Sequence, residues 1–207
     1  MMLRLLGDLV APLHCAACDE RRADLFCAAC SDTVEVSSSP AAALVYGGAV
    51  AQAIARMKYG GRSDLCRRLG AIMAHAPLVE RLVGLVDVVV SVPMHRLRLI
   101  ERGYDHAALL ARPIARKLGV PLEVRALERT RDTPRQASLD RAHRLVNVAR
   151  AFAARQDLEG RRVVLVDDVR TTGATLAECM SALAVGGAAR VVPFVLASRD
   201  HELHGNS

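Results

Sequence analysis

The 207-residue chain has no tryptophan, three phenylalanines and three tyrosines. A protein that captures single-stranded nucleic acid by base stacking needs exposed aromatic rings. The supply here is Phe26, Phe152, Phe194, Tyr46, Tyr59 and Tyr104, of which Phe26 and Tyr104 are expected to be exposed. That scarcity argues against an autonomous strand binder. Lysine is almost absent too: Lys58 and Lys117 are the only two among 28 basic residues, at a net charge of +6. The basic surface is therefore arginine, whose planar fork suits phosphate oxygens. No apolar stretch is long enough to span a membrane. The N-terminal apolar run is broken by Arg4, Gly7 and Asp8, a poor signal-peptide core. A cytoplasmic location is the expectation.

Cysteine is scarce but concentrated. Four of six cysteines lie within sixteen residues, as Cys15-Ala-Ala-Cys18 and Cys27-Ala-Ala-Cys30. Two C-x-x-C knuckles can supply four thiolates to one tetrahedral zinc. The linker between them has only Leu25 and Phe26 as large apolar groups, so burial alone cannot fold it. A structural zinc would supply that energy. Four thiolates leave no open position, so the metal would be structural and not catalytic. Disulfides and a redox dithiol are the alternatives. Cys66 and Cys179 fall in helical patterns and read as packing residues.

The stretch with most chemistry is Arg162 to Thr175, R-V-V-L-V-D-D-V-R-T-T-G-A-T. Val163 to Val166 read as a buried strand ended by Asp167 and Asp168. The loop Thr171-Thr172-Gly173-Ala174-Thr175 then leads into a helix. A helix N-terminus offers unpaired N–H groups and partial positive charge to a phosphate. Gly173 lets the backbone come close, and the threonines add hydroxyl donors. Ionised carboxylates only accept hydrogen bonds, so an adjacent pair suits a vicinal diol such as that of ribose. The plain alternative is a capped strand-to-helix turn, which leaves the acidic pair unexplained.

The remaining pattern alternates. Ser37 to Pro40 reads as a linker, so residues 1–39 are expected to form an N-terminal helix and zinc module and 40–207 the main domain. A strand at 42–46, a helix through Ile54 to Tyr59, and a longer helix from about Asp64 to Val83 follow. Asp87 to Pro93 is an apolar strand running into a basic loop, Met94 to Gly103. A helix spans Asp105 to Leu118, and Arg129 to Arg144 is a long arginine-rich loop. Val146 to Phe152 reads as a strand or hairpin arm. Ala174 to Val185 and Val191 to Ala197 are the last helix and strand. This order predicts an α/β fold with a mainly parallel sheet flanked by helices.

Val163 to Thr175 resembles the phosphoribosyl-pyrophosphate (PRPP) signature of type I phosphoribosyltransferases. The wider chain resembles the ComF-type competence proteins. The paired cysteines, Met57-Lys58-Tyr59-Gly60, Val92-Pro93, Arg102-Gly103-Tyr104 and the segment 129–147 all contribute. The resemblance implies a type I phosphoribosyltransferase-like fold with a small zinc-binding module. It implies ribose and 5-phosphate binding by Asp167, Asp168, Arg170, Thr171, Thr172, Gly173, Ala174 and Thr175. Pro93, Arg98 and Arg102 would face pyrophosphate with magnesium, and Arg129, Arg135 and Arg144 would belong to a mobile flap. Two departures stand out. Asp105-His106 replaces the usual Asn-Gln, and Arg170 occupies a position more often uncharged.

Three functions remain open on the sequence. One is phosphoribosyl transfer from PRPP in nucleotide or base metabolism unrelated to DNA uptake; no dedicated base is evident, since a lone histidine such as His95 or His106 is more often a surface or hydrogen-bonded residue than a base. Another is a non-catalytic PRPP or nucleotide sensor or nucleic-acid-associated adaptor. The third, implied by the ComF resemblance, is a role in DNA uptake on single strands or with the uptake machinery. The oligomeric state is not legible.

Overall fold

The computed structural model of the chain describes residues 14–21, 24–130 and 151–199. Its elements are α1 (Ala28–Ser31), β1 (Ala42–Val45), α2 (Gly48–Tyr59), α3 (Ser63–Ala74), α4 (Pro77–Leu82), β2 (Val88–Ser91), α5 (Arg96–Arg102), α6 (His106–Leu118), β3 (Leu122–Glu123), β4 (Leu127–Arg129), β5 (Phe152–Ala154), β6 (Arg162–Arg170), α7 (Ala174–Val185) and β7 (Arg190–Ser198). The N-terminal helix expected at the start of the chain, and Arg135 and Arg144 of the arginine-rich segment, lie outside the described residues.

Five strands form one sheet in the order β1-β7-β6-β2-β3, all parallel. Parallel strands covered on both faces lack polar alternation, which is why β2 and β6 read as unbroken valine-rich runs. The two faces still separate by parity. Val89, Val164, Val166 and Phe194 pack into a core with residues of α2, α3, α4 and α6. Val88, Val90, Val163, Leu165 and Val195 pack with Leu176, Cys179 and Leu183 of α7 and with the antiparallel β4–β5 pair. Cys66 and Cys179 are buried, as their helical positions predict.

The topology fixes where a ligand can sit. The chain leaves β2 toward β3 at one edge, and leaves β6 toward β7 on the other side. Helix α6 packs on one face and α7 on the opposite one. Between β6 and β2 the connections diverge, opening a crevice at the carboxyl ends of the strands. Asp167 and Asp168 stand there on β6, beside the Val92-Pro93 exit from β2.

Three expectations change. The helix expected from Asp64 to Val83 is two helices, because Pro77 starts α4 and Ala76 before it is extended. The basic loop after Pro93 contains a helix, α5, N-capped by His95 Nδ1 accepting from Leu97 N at 3.3 Å. Strand β6 runs through the acidic pair to Arg170 instead of ending at it, because β7 continues to pair with it as far as Ser198.

Helices α3 and α6 cross at Gly70. A Cβ there would stand 2.7 Å from the Leu110 carbonyl oxygen and 3.1 Å from Pro113 Cγ. Backbone cannot yield as a side chain does, so Gly70→Ala should destabilise the fold by about 1–3 kcal/mol through overpacking. Urea denaturation of the variant reads this directly, and an unchanged midpoint would contradict it.

Candidate ligand site and cysteine knuckles

The site is built around Asp168, which is 4 % exposed. Its parity on β6 turns it toward α2 and α6. Lys58 Nζ, in the last turn of α2, lies 2.7 Å from Asp168 Oδ2, and His106 Nε2, the first residue of α6, lies 2.6 Å from the same oxygen. Burial by itself would raise the Asp168 carboxyl. The Lys58 ammonium and the His106 contact outweigh it and hold the group well below the usual carboxylate range. Asp167, one residue back, points to the other face of the sheet, and its Oδ1 accepts from the Asp168 N–H at 2.8 Å. Burial, and then the charge of Asp168, push its carboxyl up to about 7. The pair is thus one fixed anion beside one carboxyl poised near neutrality.

His106, Asp167 and Asp168 bring ligand atoms within 4.8 Å of one another. Lys58 and His106 already cover Asp168 Oδ2, so this cluster is ion-paired internally. The remaining carboxylate oxygens are left to accept from hydroxyl groups.

Beyond the acids the chain forms a polar cradle lined by Asp167 and residues 169–176. Gly173 takes φ +79, a left-handed conformation that favours glycine, and it turns the chain into α7. No side chain caps α7 in the usual manner; the Ala174 N–H reaches Thr172 Oγ1 at a long 3.4 Å. The first-turn N–H groups therefore face the cradle with the helix dipole behind them. Thr171 and Thr172 are exposed. Arg170 turns aside, donating from Nη2 to Ser39 Oγ at 3.1 Å.

On the β2 side, Pro93 leaves the strand end, and Arg98 and Arg102 share a face of α5 at i, i+4. Arg102 Nη1 lies 2.8 Å from His106 Nδ1, and its guanidinium stacks over the Tyr59 ring at 5.6 Å. Arg129 lies on β4, over the Phe152 ring at 5.6 Å. The ring expectations are revised. Tyr59 is the exposed one, at 77 %, whereas Phe26 packs into the core clusters and the Tyr104 hydroxyl donates to Met57 O at 2.5 Å.

Lys58 was the partner that sequence reasoning missed. Its one signal was rarity, since arginine fills nearly every other basic position. Rarity does not decide alone, because the other lysine, Lys117, makes an ordinary ion pair with Glu80 at 2.8 Å.

The four knuckle sulfurs lie within 4.8 Å of one another, with Cys18 Sγ and Cys27 Sγ 3.7 Å apart. Four thiolates on one tetrahedral ion at Zn–S distances would sit about 3.8 Å apart, so the donor set fits a metal. The Cys27 N–H donates to Cys15 Sγ at 3.4 Å. His14 stands outside the sulfur set and contacts Asp19 O through Nδ1 at 2.7 Å. Arginines fasten the knuckles to the helices. Arg56 donates to Ala17 O and pairs with Asp19, Arg62 also pairs with Asp19, and Arg68 donates to His14 O and Asp24 O.

Residues 105–204 match the phosphoribosyl transferase domain family, which takes in α6, β6, the cradle and β7. The DNA utilization protein YhgH of Escherichia coli K12 is 36 % identical over 141 residues, 67 % of this chain and 62 % of that protein. The chain is a relative of the ComF-type competence proteins. Competence protein F of Haemophilus influenzae is 36 % identical over 97 residues, covering 45 % of this chain and 42 % of that one. Among solved structures, glutamine PRPP amidotransferase from B. subtilis, complexed with ADP and GMP, is 28 % identical. It covers 63 % of this chain and 25 % of that one, at a TM-score of 0.43. The chain spans about three fifths of the length of the YhgH proteins it matches. Lys58 and the cysteine knuckles lie before the matched residues 105–204 and reach them by packing.

Lys58→Met should leave Asp168 a buried carboxylate with one partner. The expected loss is about 3 kcal/mol near pH 8. Without the ammonium, the folded-state pKa of Asp168 rises above its unfolded value. The loss should therefore shrink as pH falls toward 5 and the carboxyl takes up a proton. Denaturation at both pH values tests it; a loss of equal size at each would refute the assignment.

Proposed function

We propose that this ComF-type protein binds PRPP or a closely related nucleotide at the end of β6. The observation that carries this reading is the pairing of a buried, doubly held carboxylate with a second carboxyl and an uncapped helix N-terminus. The ribose hydroxyls would donate to Asp167 and Asp168. The 5-phosphate would take the cradle of Thr171, Thr172, Gly173, Ala174 and Thr175. Arg170 would close its side from the Ser39 contact. The pyrophosphate would lie toward Pro93, Arg98 and Arg102, and magnesium arriving with it would neutralise the leaving-group charge. Arg129, Arg135 and Arg144 would belong to the covering flap.

In this reading the protein contributes positioning and charge. Asp168 is ionised before the ligand arrives, so it costs no rearrangement to accept a hydroxyl. Phosphoribosyl transfer to a nitrogen nucleophile is the reaction such a site would support. The second reading, a PRPP sensor or nucleic-acid-associated adaptor acting in DNA uptake in the cytoplasm, draws on the names of the relatives. It also draws on the exposed Tyr59 ring and on the arginines of α5, which offer stacking and phosphate contacts beside the pocket. Residues 1–39 would form the zinc module and 40–207 the ligand-binding domain. Zinc on Cys15, Cys18, Cys27 and Cys30 would be structural.

Titration calorimetry with PRPP and magnesium tests the pocket. Micromolar binding is expected, weakened at least about a hundredfold in an Asp167→Ala/Asp168→Ala variant, on the basis of two lost charge-assisted bonds. Equal binding by that variant would sink the reading. Pyrophosphate release over a panel of bases separates transfer from sensing. Anaerobically purified protein should hold about one zinc per chain, and its removal by chelator should lower the melting temperature. A metal-free sample of unchanged stability would remove the zinc assignment.

A further inference from the structure

Arg102, His106 and Asp168 form a chain of contacts whose protonation is determined by chemistry. A guanidinium has only donors. At 2.8 Å from His106 Nδ1, Arg102 Nη1 must donate, so Nδ1 carries no proton. The ring's hydrogen is then on Nε2, which lies 2.6 Å from Asp168 Oδ2. His106 is therefore neutral while it holds Arg102. A proton on Nδ1 would set two donors against each other and release the guanidinium. His106 side-chain exposure is only 12 %, so a swing into solvent is not the easy escape.

We propose that His106 is a positioning residue that exchanges Arg102 for a proton, so that binding of a pyrophosphate group at Arg102 is coupled to proton uptake at His106. The proposal rests on the reading of the pocket given above. In the free protein Arg102 is parked between His106 Nδ1 and the face of Tyr59. An anionic ligand draws the guanidinium away as a charge-assisted partner. Nδ1 then accepts a proton from water, and the imidazolium keeps its Nε2–H on Asp168. The anion thus brings one cation forward and generates another behind it.

The surroundings suit that exchange. From β6, Asp168 contacts the ring and favours its charged form, and Asp167, within 4.8 Å, adds to this to the extent that it is ionised. From α2, the Lys58 ammonium opposes it. Arg102 of α5 opposes it until it leaves. The Cys66 thiol of α3 lies nearby, pushed up to about 12 by burial and so neutral. Asp105, the N-cap of α6, accepts from Ala108 N at 3.0 Å and adds a further negative charge. The Asp168 carboxylate, supported by Asp105 and by Asp167 as it ionises, leaves a place beside the Lys58 ammonium for a second positive charge once Arg102 has moved. An imidazole ordinarily changes charge between pH 5 and 8; the Asp167 carboxyl, pushed up to about 7, shares that range in the wild type and in a His106 variant alike.

Inorganic pyrophosphate is the probe, because it engages Arg102 without a ribose for Asp167 and Asp168. Its binding to the full chain is measured by calorimetry from pH 6 to 8 in buffers of different ionisation enthalpy. His106→Gln is the comparison, since an amide can accept from Arg102 and donate to Asp168 but cannot titrate. The wild type should take up more protons than the variant. Its affinity should fall more steeply than the variant's between pH 6 and 8, by up to about tenfold more per pH unit, the limit set by linkage to one extra proton. Nitrogen NMR of labelled histidines in the wild-type protein gives the same answer without a variant. Nδ1 should be bare in the free protein and protonated with pyrophosphate bound near pH 6.5. Equal proton uptake by both proteins, or a bare Nδ1 in the complex, would overturn the proposal while leaving the pocket reading intact. Failure of both proteins to bind either pyrophosphate or PRPP would overturn the two together.

Discussion

A carboxylate withdrawn from water must be met by opposite charge or by strong donors, and Asp168 is met by both. Lys58 comes from the end of one helix and His106 from the start of another, and they converge on a single oxygen. Burying three such groups is costly, and an apolar cluster would make a more stable core. The arrangement is understandable as a site requirement. It keeps one acid ionised, leaves oxygens of the pair to accept from hydroxyl groups, and helps hold Asp167 toward the neutral form. Helices α2 and α6 are tied to the strand end by it, so the walls of the crevice and its chemistry share the same bonds.

The cysteine knuckles bear on the same helix. Asp19 adopts φ +70, unusual for a residue with a side chain. Its carboxylate receives Arg56 and Arg62, which offsets that strain. Arg56 stands two residues before Lys58 in α2. The knuckles and the acidic pair therefore grip the same last turn of one helix from its two sides.

What could be read from the sequence was what lies close together in it. The acidic pair, the Thr-Thr-Gly turn and the C-x-x-C knuckles are contiguous, and each motif carries its own geometry. The parallel sheet followed from the valine runs and the helix alternation. Lys58 and His106 were not legible as partners of Asp168, because only the β6–β2 divergence and the packing of α2 and α6 bring them together. Helix α5 was hidden by its mixed Arg-Leu pattern and short length. Tyr104 was misjudged because its hydroxyl is satisfied by a carbonyl across the fold, a partner no local pattern announces.

The strand order has a consequence for the order of assembly. Among the described residues, strand β1 lies at the edge of the sheet and pairs there with β7, with Ala42 beside Val195. The earliest strand of the sheet therefore waits for the last one before it has a ladder. Strand β6 likewise acquires one of its two neighbours only when β7 is made. Such long-range parallel pairing is slow to form, because loop closure precedes any gain in contacts. A ribosome would release the knuckles and α2 to α4 well before the ligand crevice could close. The nascent chain meanwhile carries an unpaired valine-rich edge. Its window of exposure to misassembly should end only with synthesis of the segment around Phe194.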